Sequence, residues 1–283
     1  MGSATFVPAT EDTVRNVYMM SCLLATVLPA VAQNAPAPDP CAAGARASFD
    51  VVSIKPSQTP SDSSSIHEIP DGVVMIGSLR RMMLFGFNLH DFQLMGSPDW
   101  VSTATWVVNA KNETPDPDFS KLSRAEQQAL WDKRMQQVQS MLMDRFQLKC
   151  HMATKELPIY ELVQAKGGAK LKPTTAQANE QNSDTRSGPG LQMHQTATGV
   201  TADLIVSVLT NEVDRMVVDK TGLTGSYDLT LDWVRDAPAD STDASAGPTI
   251  FTALEEQLGL KLVAAKGPVP VLVIDAVEKP SAN

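Results

Sequence analysis

Lys220-Thr221-Gly222 is a triplet that serves catalysis in penicillin-recognising serine enzymes. That chemistry also needs a nucleophilic serine followed three residues later by lysine on a helix. No serine of the chain has lysine at that spacing. The triplet instead precedes a turn in which Gly222 and Gly225 supply backbone freedom, so it reads as a strand end. The four histidines, His67, His90, His151 and His194, lie far apart and none has metal-ligand spacing, so no metal or cofactor is expected. Asp236, Asp240 and Asp243 share one acidic stretch but miss the calcium-loop pattern. No nucleophile elbow, phosphate loop or dinucleotide fingerprint is present. What remains for acid–base work is dispersed: Asp99, Asp219 and His151 would have to meet in space.

A second kind of chemistry is recognition. Trp100, Trp106, Tyr227 and Trp233 stand near glycine-bearing turns. Aromatic side chains at turn edges can form a platform for a glycan or a peptide, and they can equally plug the ends of a core. Both readings stay open.

Acidic residues outnumber basic ones, 32 to 23, for a formal net charge of −9. Such a surface repels phosphate backbones, which argues against a nucleic-acid partner. The apolar share, 43%, suffices for a sizeable core. No run reaches the roughly 20 apolar residues that a membrane-spanning helix needs. Val17 to Ala32 is a short apolar segment ending in Ala30-Val31-Ala32, a small-x-small triplet, so residues 1–32 read as a signal peptide cleaved after Ala32. A buried core helix is the competing reading. Glu11 and Asp12 outweigh Arg15 before the segment, where positive charge is usual. Residues 33–47, rich in alanine and proline, read as a solvated spacer. Export to the periplasm or the exterior would leave Cys41 and Cys150 as the only cysteines, able to form one disulfide or to stay as thiols.

The elements that position these residues alternate between strand and helix patterns. Strands are expected over Phe49–Lys55, Gly72–Ile76, Phe92–Met95 and Trp106–Ala110, with a helix capped by Ser78 among them. Ser123 and Glu126 form a capping box that opens the longest helix, whose Trp131, Met135, Val138 and Leu142 share one face. Strands Leu148–Thr154 and Ile159–Ala165 follow. Residues 173–199 are polar and read as a loop, with disorder the safer expectation. A helix capped by Thr201, strands at Met216–Val218 and Tyr227–Trp233, an acidic loop Asp236–Pro248, a helix Thr249–Leu258 and strands Leu260–Ala264 and Val269–Val277 complete the chain.

Leu142, Phe146, Leu148, Lys149, Pro158 and Ile159 match Leu254, Leu258, Leu260, Lys261, Pro270 and Val271, every pair at the same offset along the chain. A looser match pairs Leu79–Ala110 with Leu204–Leu231. The expected fold is α+β, one domain over 48–283 built of two similar units (48–172 and 200–283), with largely antiparallel sheets and helices packed on one face.

FDVVSIKPS at 49–57, GSPDW at 96–100, MLMDRFQLK at 141–149, ELPIYELVQAKGGAKLKP at 156–173 and VVDKTGLTGSYDLTLDW at 217–233 occur in order. With them the chain resembles the family called domain of unknown function 3738, predicted secreted proteins abundant in soil acidobacteria. The resemblance implies export and an α/β arrangement. It also suggests kinship with the sensor part of antirepressor-type membrane metallopeptidases, but the chain has no His-Glu-x-x-His pair and the family lends no catalytic residues. The function expected is a non-catalytic binding or sensory module of the cell envelope, meeting a peptide, a cell-wall fragment or another envelope protein. A secreted hydrolase using Asp99, Asp219 or His151 is the alternative.

Overall fold

Residues 39–41, 47–58, 64–176, 182–188, 191–235 and 247–280 are described by a computed structural model of the chain. The expected signal peptide, most of the spacer and most of the Asp236–Pro248 loop lie outside the described residues.

Among the described residues, three four-stranded sheets and five helices make an α+β fold. In chain order the strands of the first half are β1 (Val51–Pro56), β2 (Ser65–Ile69), β3 (Gly72–Ser78), β4 (Leu94–Met95), β5 (Thr105–Lys111) and β6 (Lys149–Gln164). Its helices are α1 (Leu79–Gly86), α2 (Trp100–Thr103) and α3 (Arg124–Arg145). The second half has β7 (Lys172–Pro173), β8 (Asn182–Ser187), β9 (Gln192–Val200), α4 (Ala202–Glu212), β10 (Val217–Asp219), β11 (Tyr227–Val234), α5 (Ile250–Ala253) and β12 (Leu260–Ala276). A π-helical turn, Leu254–Leu258, continues α5.

The first sheet has the order β1-β5-β3-β2 and the third β7-β11-β9-β8. Each half thus lays its strands down in the same spatial order. The middle sheet, β10-β6-β12-β4, takes two strands from each half. Its long strands, β6 and β12, pair antiparallel along nearly their whole length. Pro158 faces Lys266 and Thr154 faces Pro270, so the offset that carries Pro158 onto Pro270 also carries Thr154 onto Lys266 and exchanges the two pairs. Glu156 and Pro268, which face each other, lie at the centre of this exchange. The short strands cross over: β4 runs parallel to β12, and β10 runs parallel to β6.

Each outer sheet buries one face under helices. Val73 and Met75 of β3 and Val108 of β5 meet Leu79, Met82 and Met83 of α1 and Val138 and Leu142 of α3 in one core. Ala197 of β9 and Leu231 and Trp233 of β11 meet Ile205 and Leu209 of α4 and Leu254 and Leu258 of the π turn in a second. A smaller third cluster lies on the middle sheet, where Ile159, Val269 and Val271 gather Ala153, Leu157 and Ala265. These six again match across the halves at the repeat offset, Ala153 with Ala265, Leu157 with Val269 and Ile159 with Val271. Burial of these apolar faces is the main force holding helices to sheets.

Two expectations are corrected here. The stretch 173–199 is not a loop throughout. It carries β8 and β9, which pair antiparallel, and β9 also pairs with β11. Period-2 burial is present in β9, but its inward positions are Met193, Gln195, Ala197 and Gly199, two of them small and one polar, so the apolar alternation that marks a strand is faint. Likewise β6 and β12 are single long strands, not two strands each. Pro158, Pro268 and Pro270 interrupt neither. They share a register with Tyr160, whose N–H points outward to the Met216 carbonyl, so a missing N–H there breaks no bond between β6 and β12.

Candidate functional site

The four aromatic residues singled out as a platform do not come together. Trp106, 7% exposed, packs edge-on against Phe146 at 5.8 Å in the first core. Trp233, 3% exposed, belongs to the second core. Trp100 is half-buried beside the first core with the Lys279 ammonium 5.7 Å from its ring centre. Tyr227 opens β11 and stands against Gly225. Trp106 and Trp233 therefore fill two separate cores.

The dispersed acid–base candidates also sit on separate elements. Asp99 precedes α2, and its carbonyl accepts from Ser102 and Thr103. Asp219 ends β10, and its carboxylate accepts from the Thr221 N–H at 2.8 Å. His151 Nδ1 lies 3.0 Å from Asp275, both side chains about half exposed. A second pair of this kind, His194 Nδ1 and Asp232 at 2.5 Å, spans β9 and β11. His90 stacks on Phe92 at 5.3 Å, and burial holds its imidazole below the ordinary histidine range. Among the described residues, no three His, Cys, Asp or Glu side chains group so as to hold a metal ion.

Lys220-Thr221-Gly222 is a structural turn. The Lys220 N–H donates to the Leu162 carbonyl, Gln164 Nε2 donates to the Thr221 carbonyl, and the buried Thr221 hydroxyl accepts from the Leu223 N–H. These polar groups of the triplet are thus spent on holding the β10–β11 connection against β6. Cys41 and Cys150 are joined by a disulfide, at an S–S distance of 2.00 Å, which ties the segment before β1 to the start of β6.

A concave feature lies elsewhere, beside β2 of the first sheet. A groove of about 500 Å³ runs between the end of β2, a single 3-10 turn (Phe119–Lys121) and the first turns of α3. Ile69, Phe119, Leu130 and Trp131 supply its apolar walls, with Glu68, Asp116, Asp118 and Arg134 as charges. Phe119 and Trp131 are 53% and 38% exposed, unusual for large aromatics. Trp131 is steadied by Phe85 of α1, edge-on at 5.8 Å.

The electrostatics of the groove are local. Arg134, 4% exposed, pairs through Nη2 with Asp116, and its guanidinium lies over the Phe49 ring. Its Nη1 is buried without a hydrogen-bond partner. Lys133 also reaches Asp116, at 3.4 Å. Hydrogen bonds from the Ser120 hydroxyl, then Lys121 and the Ser120 N–H, hold the Asp118 carboxyl below the ordinary aspartate range. One turn along α3, the buried Gln137 donates to the Ser48 carbonyl and to Asn112 Oδ1, pinning the helix to the chain ends around β1 and β5. Sequence reasoning missed this site. Trp131 falls on the same helical face as Met135 and Val138, which are buried, so the periodicity marks it as core.

The fold and the groove together define an α+β protein with an open, aromatic-walled surface site. A model of the family described as protein of unknown function DUF3738 matches residues 80–277, and the chain belongs to that family. Neither the curated proteins nor the solved structures include a match to it. No described helix is long and apolar enough to cross a membrane.

Proposed function

We propose that the protein is an exported, non-catalytic binding or sensory module of the cell envelope, and that the groove between β2 and α3 is where it meets a peptide, a cell-wall fragment or another envelope protein. The observation that carries this reading is the pair of exposed aromatics, Phe119 and Trp131, on a concave surface with a few placed polar groups. Export is supported by the apolar segment ending at Ala32 and by the Cys41–Cys150 disulfide, a bond that persists in oxidising compartments. The duplicate strand order of the two outer sheets and the constant offset between matched residues support the view that the two halves are copies of one unit.

A hydrolase is the second reading, favoured by the exposed His151–Asp275 and His194–Asp232 pairs, since a carboxylate can orient a general base. The two readings separate in one experiment. Mature protein is offered a panel of peptide, ester and glycan substrates and, in parallel, labelled peptides and soluble cell-wall fragments for binding. Binding without turnover, lost in Trp131→Ala, is expected. Turnover abolished by His151→Ala, Asp99→Asn or Asp219→Asn would overturn the binding-module reading.

A further inference from the structure

Resting on that reading, we propose that the groove takes an extended peptide in which a basic side chain neighbours an apolar one. Three features converge on this ligand. The first is backbone: among the described residues β2 is an edge strand, paired with β3 on one side only, and Glu68 and Ile69 at its end line the groove. An edge strand offers unpaired backbone groups that an extended chain can match, while the groove beside it receives alternate side chains.

The second is charge. Asp116 is already matched by Arg134 and Lys133, and Asp118 by Lys121. Glu68, exposed at the end of β2, has no ion-pair partner among the described residues. It is the carboxylate left to meet a cation from outside. The third is the aromatic pair, Phe119 and Trp131, both exposed on the wall of the groove. Phe119 and Trp131 then cover the apolar side chain. An acidic peptide would set its charge against Glu68, and a cell-wall glycan offers neither the strand-like backbone nor the cation.

The test uses fluorescence anisotropy of three short, end-capped peptides with the same apolar residues and with lysine, glutamine or glutamate between them, beside a soluble muropeptide. The lysine peptide is expected to bind best and to weaken with added salt. Trp131→Ala should weaken it about tenfold or more, the loss typical of a truncated aromatic anchor. Glu68→Gln, an exposed change that leaves the fold alone, should erase the preference for lysine over glutamine. Equal binding of all three peptides, or a lysine preference that survives Glu68→Gln, would overturn the proposal. Binding of the muropeptide alone, still sensitive to Trp131→Ala, would also overturn it while leaving the binding-module reading standing. Cleavage of the lysine peptide would support the ligand class and remove the non-catalytic reading.

Discussion

Gln147 and Gly259 occupy matching positions in the two halves and end two different helices in the same left-handed backbone, with φ of 48° and 62°. Each is followed by a buried leucine that begins or precedes a long strand, Leu148 before β6 and Leu260 opening β12. The carbonyls one residue earlier are satisfied alike: Phe146 accepts from the Glu278 N–H and Leu258 from the Lys170 N–H. The two sites differ in their tolerance. A Cβ at Gly259 would come within 2.2 Å of the Gly168 carbonyl oxygen.

Gln147→Gly is therefore expected to change stability little or to raise it by up to about 1 kcal/mol, as left-handed strain is relieved against a lost bond from Nε2 to the Asp144 carbonyl. Gly259→Ala should cost more than about 2 kcal/mol, since strain and collision add. Urea midpoints of the two variants measure both. Equal losses at the two positions would contradict the comparison.

Cys41 and Cys150 enclose a separation of 109 residues. Reducing the bond, or Cys41→Ser, should lower stability by about 2–4 kcal/mol by freeing the unfolded chain. Denaturation with and without a reductant reads this directly, and coincident curves would mean the bond contributes nothing.

Trp106→Ala should cost about 3–5 kcal/mol, the loss from emptying a core position. Trp131→Ala removes an exposed ring and one edge contact with Phe85, worth about 1 kcal/mol. If Trp106→Ala proved as mild as Trp131→Ala, the division between core and groove aromatics would fail.

Glu126 closes the capping box of α3. The Ser123 hydroxyl donates to its carboxylate at 2.6 Å and the Ser123 N–H at 2.8 Å, and these bonds hold its pKa below the ordinary glutamate value. A depressed carboxyl stabilises the fold above its unfolded pKa and loses that contribution as pH falls through the folded value. The gap in Tm between wild type and Glu126→Gln should accordingly be widest near neutral pH and close in acid. A gap that widened in acid would reverse the sign.

The capping box was legible because its two residues are three apart and act through their own backbone. The α+β class followed from alternating patterns, and the residues matched at one offset marked two similar units without showing that their long strands pair. What escaped depended on partners distant in the chain. Pro158, Pro268 and Pro270 look like strand breaks until β10 reveals which backbone groups face outward. Gln195 disguises β9, because a buried glutamine answered by Ser183 is invisible without β8. The groove escaped for the same reason. Ile69, Phe119 and Trp131 come from three elements, and no spacing in the sequence joins them.

Strand exchange in the middle sheet governs the order in which the molecule can be made. β6 finds its partners, β10 and β12, wholly in the second half, and β4 waits for β12. A ribosome releases β12 after all of these. Until then the longest strand of the first half has no ladder along most of its length, and its third core cluster lacks Ala265, Val269 and Val271. Such distant pairing makes closure slow compared with the folding of α1 and α3 onto the first sheet. The nascent chain therefore stays open at its centre until β12 has emerged.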